Sequence, residues 1–264
     1  MLYWLKKELV SSQSADWIDQ CALWAIDRFG ANAFWQHTRL VRPDSSDFPE
    51  KLTGPEPMAR YILGRVTALM GIAQWPWQLR DFRAIDSASP PLLGLDTRQR
   101  FSDSTTVASP FPAIPSWEFT PLQVPLVMDQ IAKPQDLVAS IAHTCAQHML
   151  WQSQLTPPGG MEYFEQAAEV LAHFSGFGLM LTNSAYTYRG GCGRCYNPRA
   201  NRQASLSESE SVYALALFCF LKQEPASGVF KYLKPHLKGS YKLALKQIKK
   251  RAVTGNYPLT EGLR

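Results

Sequence analysis

Four polar side chains lie close together on one predicted helix and could do chemistry. Residues 135–151 have the apolar spacing of a helix and carry His143, Thr144, Gln147 and His148. Residues four apart share a helix face, whereas His143 and His148 diverge by about 140°. We therefore expect His143 and Gln147 to share a face and His148 to point elsewhere, so that His148 cannot act as a second ligand beside His143.

A second predicted helix, residues 161–177, presents a row of ionisable groups. Glu165, Glu169 and His173 follow one another at four-residue steps and lie within roughly 80° of arc. Apolar and aromatic neighbours indicate that much of this helix is buried, and a buried carboxylate needs a partner. The row is therefore either a solvated face or part of a site.

The role of His143 has two interpretations from the residues alone. A single histidine beside a glutamine on an apolar helix is typical of a hydrogen-bonded core residue. The alternative is a metal ligand that acts together with Glu165 from the second helix, because imidazole and carboxylate are common zinc donors.

A separate pair, Cys192 and Cys195, has the spacing of a zinc knuckle. A structural zinc site needs four ligands, and the sequence has no second pair. The pair is thus a set of idle thiols, half of a metal site completed by His143, His148 or Cys145, or a redox dithiol. Redox pairs usually begin a helix, whereas glycines before this pair and a proline after it favour a loop.

Composition limits the class of protein. The chain has 264 residues, of which 45% are hydrophobic, enough for a substantial core. The first residues are too short an apolar run for a signal peptide, and no stretch reaches the roughly 20 apolar residues of a membrane span. Five scattered cysteines do not form a disulfide framework. We expect a cytoplasmic protein with free thiols and no membrane association.

The net charge of +5 is mild, but much of it lies in a predicted basic helix, residues 238–251. Such a run is usually a solvated face. The alternative is a surface that binds nucleic acid, which would make binding strongly dependent on salt. We expect nucleic acid not to be the partner.

Other elements follow from apolar periodicity and local signals. Helices are predicted at 14–29 with Ser14 as cap, at 57–71 ending on Gly71, and at 207–221 with a capping box of Ser207 and Glu210. Strands are predicted at 34–41, 75–82 and 122–129. Residues 87–115 are rich in proline and serine and are expected to be irregular.

The chain resembles a group of uncharacterised bacterial proteins that have a zincin-like metallopeptidase domain. The resemblance covers about residues 55–250 and is densest in 127–148, 165–184 and 213–218. In an active zincin the first helix reads H-E-x-x-H, so that two histidines bind zinc and the glutamate activates water. Here Thr144 stands at the glutamate position and Gln147 at the second histidine.

The resemblance implies a role for each matching residue. His143 would be the first zinc ligand, Glu165 the third, and Glu169 a carboxylate that orients a ligand. Gln147 would offer only a neutral amide, a poor zinc ligand, and Thr144 cannot take a proton from bound water near neutral pH. The motif is therefore degenerate.

The expected fold is α+β: a zincin-like domain in which a small sheet with an edge strand packs on a central helix, followed by a mainly helical C-terminal part. Residues 1–54 would form an N-terminal helical and irregular extension packed on the core, residues 55–251 the domain, and residues 252–264 a tail. The resemblance also implies that the strand at 124–128 holds peptides by backbone pairing.

The expected function is binding of an unknown protein partner by a domain that has lost peptidase activity, with either no cofactor or zinc. One alternative is an active zinc metalloenzyme with an altered ligand set, in which His173, Cys145 or the Cys192 and Cys195 loop joins His143. The other alternative is nucleic-acid binding through the basic helix.

Overall fold

The computed structural model describes residues 8–85, 90–101, 120–185 and 201–253. Within them the chain is mixed, with helices predominating over a two-stranded parallel sheet, which agrees with an α+β class. The elements are α1 Ser12–Arg28, α2 Pro55–Met70, β1 Trp77–Asp81, β2 Leu122–Leu126, α3 Pro134–Ser153, α4 Phe164–Ala172, α5 Gly178–Ser184, α6 Glu208–Leu221, α7 Ala226–Phe230 and α8 Leu237–Val253.

Helix α3 is the centre of the fold. It packs against α2, α4 and α5 and against strand β2. Buried side chains occur around most of its circumference, among them Leu137, Ile141, Cys145 and Met149. The residues of this helix are therefore held by neighbours on several sides, as the sequence predicted for 135–151.

Helix α1 begins two residues earlier than predicted, and its cap lies three residues earlier. The cap is Ser11, whose side-chain oxygen accepts a hydrogen bond from the backbone N–H of Ser14 at 3.0 Å. Ser14 itself lies in the first turn, so its predicted capping role is wrong. The helix packs against α4 and α6. The predicted domain boundaries at residues 54 and 251 stay predictions.

The strand predicted at 34–41 is wrong. Its first part is a π-helical turn, Ala33–His37, closed by the N–H and hydroxyl of Thr38, which both donate to the carbonyl of Ala33. The turn buries Phe34 against the rings of Phe174 and Phe218. Aromatic packing thus decides a conformation that the local strand-like pattern did not predict.

The sheet consists of β1 and β2, which pair in parallel with Trp77 opposite Leu122. The predicted strand at 75–82 is confirmed in its central part, and the one at 122–129 in its first five residues. Leu122 donates its N–H to the carbonyl of Pro76, on the β1 side. Since successive residues of a strand direct their backbone groups to opposite edges, Gln123 and Pro125 face the other edge.

The predicted helix at 161–177 is divided into several pieces. A 3₁₀ turn, Met161–Tyr163, leads into α4, which continues through a π-helical turn, His173–Phe177, to α5. The interruption is at Gly176, where φ is +102° and a Cβ would run into the carbonyl oxygen of Arg39. Only glycine adopts this conformation beside that carbonyl without strain.

The helices predicted at 57–71 and 207–221 are confirmed. Gly71 ends α2 in the left-handed conformation, with φ of +74°. At the start of α6, Ser207 and Glu210 form the predicted capping box. Both signals are local in sequence, which is why they could be predicted without the fold.

Part of the basic charge of α8 is used inside the protein. Arg251 binds Asp16 and Asp19 of α1, at 2.7 Å in each case, and Lys250 lies 3.2 Å from Glu8. These contacts tie the last helix to the beginning of the described chain. None of the described helices is both long and apolar enough to span a membrane.

Candidate functional site

Helices α3 and α4 bring three of the predicted site residues together. The side-chain nitrogen Nε2 of Gln147 donates to Oε2 of Glu165 at 2.6 Å. Nε2 of His143 lies 3.2 Å from the backbone carbonyl oxygen of Glu165 and 3.9 Å from Oε2. His143 is buried, whereas 55% of the Glu165 side chain is exposed. The site therefore has a buried floor and an accessible carboxylate.

The hydrogen bonds of this group determine which lone pairs are available. A carbonyl oxygen only accepts, so the Nε2 atom of His143 that faces Glu165 carries the proton and has no lone pair to offer. The Gln147 nitrogen is also a donor. A zinc ion needs lone pairs at these positions. As arranged, His143 and Gln147 offer no lone pair beside Glu165, and the single carboxylate does not make a metal site.

Gln147 and Glu165 line a cleft of about 730 Å³, which we call the α3–β2 cleft. Thr144, at the general-base position of the resemblance, faces into it beside Gln147. The described lining is mainly apolar: Phe82, Ile85, Pro90, Pro91, Thr120, Gln123, Pro125, Thr144, Gln147, His148, Trp151, Met161, Phe164 and Glu165. A volume and lining of this kind suit a bound ligand.

The end of α3 fixes one wall of the α3–β2 cleft. The indole N–H of Trp151 donates to the carbonyl of Pro90 at 2.8 Å, and the Gln152 amide donates to Pro91 at 2.6 Å. The Gln152 side-chain oxygen accepts from the N–H of Leu93. Residues 90–101 contain no helix or strand, and the rest of the stretch predicted as irregular lies outside the described residues.

His148 occupies the outer edge of β2. Its Nε2 lies 2.9 Å from the carbonyl oxygen of Gln123, and its ring contacts Trp77 edge-on at 5.5 Å. It points away from the His143 group, as the helical spacing predicted. Because Pro125 has no N–H and the Gln123 carbonyl is already bonded, this edge offers little for backbone pairing with a peptide.

Glu169 is the centre of a buried ion pair. One carboxylate oxygen accepts from Arg202 at 2.6 Å, and the other accepts from the N–H groups of Ser205 and Leu206 at 2.6 and 3.3 Å. Burial alone raises the pKa of Glu169, but the charge and hydrogen bond of Arg202 outweigh it and lower the pKa. Its oxygens are thus committed to these groups, and the ligand-orienting role stays an implication of the resemblance.

His173 lies against α6 and not at the His143 group. Its Nε2 is 3.1 Å from the hydroxyl of Ser211, and its Nδ1 has no hydrogen-bond partner among the residues that the structure describes. Burial lowers its pKa to about 3, although the charge of Glu169 opposes this. Burial also lowers the pKa of His143, again opposed by Glu169. Both imidazoles are therefore neutral at pH 7.

Folding stability should fall on mild acidification because of these histidines. An unfolded histidine binds a proton below about pH 6.5, whereas folded His173 does so only near pH 3. Stability is therefore full above pH 6.5 and is lost at about 1.4 kcal/mol per pH unit below it. We expect a loss of about 2 kcal/mol between pH 6.5 and 5, with a further loss from His143.

Urea unfolding at pH 7, 6 and 5 measures this slope. The lowered pKa of Glu169 acts only below its unfolded value of 4.5 and so stays outside this window. His173→Asn should flatten the slope, whereas His236→Asn, at an exposed histidine, should not. An equally steep slope in His173→Asn would show that His173 does not set the acid response.

The other predicted metal ligands that the structure describes do not complete a site. In the described ranges, no three His, Cys, Asp or Glu side chains come together in a way that could hold a metal. Cys145 is fully buried, which raises the pKa of its thiol and keeps it protonated. Cys192 and Cys195 lie outside the described residues.

Arg202 and Gln123 are the participants that the sequence did not indicate. Arg202 follows the glycine-rich stretch and has no periodic neighbours that would mark it as buried. Gln123 contributes through its backbone carbonyl, which no residue pattern reveals.

Comparison with protein-family models, with curated proteins and with solved structures finds no match.

Proposed function

We propose that this protein binds a peptide segment of a partner protein in the α3–β2 cleft and does not hydrolyse it. The observation that carries the proposal is a cleft of about 730 Å³ lined by Gln147 and Glu165, which are hydrogen-bonded to each other and lie against His143. The cleft has room for several side chains. Of the three side chains in the polar group only Glu165 offers lone pairs there, because Nε2 of His143 and Nε2 of Gln147 both donate hydrogen bonds to it.

The same group supports a zincin-like origin for the scaffold. His143 and Gln147 lie one helical turn apart on α3, and Glu165 approaches them from α4. An active zincin would need a histidine in place of Gln147 and a glutamate in place of Thr144. The hydrogen bond from Gln147 to Glu165 replaces a metal as the link between the two helices, so we propose that the site works without a cofactor.

Binding without cleavage can be tested with one peptide library. Pools of random heptapeptides are incubated with the protein, with and without added zinc, and bound and cleaved peptides are identified by mass spectrometry. We expect captured peptides of unchanged length. Cleavage that requires zinc and is lost in both His143→Ala and Glu165→Ala would overturn the proposal. So would the absence of any captured peptide.

A variant that fills the cleft provides the matched comparison. Thr144→Trp adds a large side chain at a half-exposed position in the lining and should abolish capture. Lys246→Trp changes an exposed residue of α8, outside the lining, and should leave capture unchanged. If both variants lost peptide capture, or if both retained it, the results would not support binding in the α3–β2 cleft.

A further inference from the structure

The described lining of the α3–β2 cleft carries one negative charge and no positive charge. Among the described lining residues, Glu165 is the only one with a formal charge, and no lysine or arginine lines the cleft. His148 is neutral because burial lowers its pKa. A single carboxylate therefore sets the sign of the potential in a lining that is otherwise apolar or uncharged.

Glu165 is held in place but not neutralised. Gln147 donates one hydrogen bond to Oε2, and an amide brings no charge. The nearest described imidazole, that of His143, is 3.9 Å away and neutral. More than half of the side chain is exposed. An oriented carboxylate with exposed surface and no cationic partner in the described lining is suited to pair with a cation from a ligand.

Aromatic and proline rings line the same cleft as this carboxylate. Phe164 is adjacent to Glu165 in α4, and Trp151 and Met161 line the same cleft. Met161 is 53% exposed, which leaves apolar surface available to a ligand. Aromatic faces also attract the guanidinium and ammonium groups of basic side chains. The lining thus suits a basic side chain flanked by apolar residues.

Backbone pairing contributes little to this recognition. On the edge of β2 away from β1, Pro125 has no N–H, and His148 occupies the carbonyl of Gln123. A peptide that lies along this edge cannot extend the sheet by a regular ladder. Side-chain contacts must therefore select the ligand.

We infer that the α3–β2 cleft recognises a segment of a partner protein that carries an arginine or lysine next to apolar residues, with Glu165 as the residue that binds the basic group. The inference rests on the proposed function, because it names the chemistry of the partner at the same cleft. It gives Glu165 a role in specificity that does not depend on a metal.

The test uses three heptapeptide pools that are identical except at the central position, which is fixed as arginine, glutamine or glutamate. Binding of the full-length protein is measured by fluorescence anisotropy at low and at physiological salt. We expect the arginine pool to bind about tenfold more tightly than the glutamine pool, since a charge-assisted hydrogen bond is worth this much. The glutamate pool should bind most weakly.

Two variants assign the preference to Glu165. Glu165→Gln should bind the arginine and glutamine pools equally, and Glu165→Lys should favour the glutamate pool. Glu162→Gln is the matched control, because Glu162 is an exposed neighbour on the preceding turn that does not line the cleft. It should keep the tenfold preference. Because Glu165 is largely exposed, these variants should fold normally, which thermal unfolding verifies.

The outcomes separate the inference from the proposed function. Equal binding of the arginine and glutamine pools by the unchanged protein would overturn the inference and leave peptide binding intact. A preference that persists in Glu165→Gln would also overturn it. No binding of any pool would overturn both. If free arginine amide binds as tightly as the arginine pool, the site binds small cations, and the inference that it recognises a peptide segment is wrong.

Discussion

Replacing Glu169 by alanine should destabilise the fold by about 3–5 kcal/mol, which is the usual cost of leaving one buried charge without its partner. The Glu169 side chain is fully buried and that of Arg202 is 2% exposed. Removing the carboxylate leaves the guanidinium and the N–H groups of Ser205 and Leu206 without their acceptor. Urea unfolding at pH 7 measures the change in the free energy of unfolding.

Two controls show whether the buried charge is the cause. Glu169→Leu combined with Arg202→Met removes both charges and should cost much less than Glu169→Ala alone. Glu56→Ala breaks an ion pair with Arg60 in which both side chains are more than half exposed, and it should cost under about 1 kcal/mol. A double variant as unstable as Glu169→Ala would show that lost packing, and not an unpaired charge, dominates.

Building the zincin motif that the resemblance implies should create a zinc site that stabilises the fold. Gln147 already reaches Glu165 at 2.6 Å, so a histidine at 147 should direct its ring to the same point as His143. The variant Thr144→Glu with Gln147→His supplies two imidazoles and Glu165 as ligands. Zinc at 100 times its Kd should add about 2.7 kcal/mol to the free energy of unfolding.

Thermal unfolding with and without zinc measures this gain. Binding must first break the hydrogen bond from His143 to the carbonyl of Glu165, at a cost of about 1 kcal/mol. Adding Glu165→Gln to the double variant removes one ligand and should reduce the shift. A folded double variant with no zinc-dependent shift would rule out the convergence of His143, position 147 and Glu165, and with it the zincin-like assignment.

Local signals predicted most of the helices and part of the site. Helical periodicity placed His143 and Gln147 on one face, and four-residue steps placed Glu165 and Glu169 on the facing helix. These relations depend on helix geometry alone. The convergence of the two helices came from the resemblance, because periodicity does not say which faces meet.

Contacts between distant residues could not be predicted. The partner of Glu169 is Arg202, 33 residues away, in a stretch without periodicity. The π-helical turn Ala33–His37 depends on the packing of Phe34 against rings from two later segments. In both cases the conformation is stabilised by contacts with a partner that is remote in sequence, so no local sequence pattern predicts it.

The outer edge of β2 also affects how this protein behaves at high concentration. An open strand edge is a template on which a second molecule can add a strand and start an aggregate. Here Pro125 removes one donor and His148 occupies one acceptor on that edge. The two residues therefore weaken this edge as a template for strands of neighbouring molecules, although the cleft beside it stays open to a ligand.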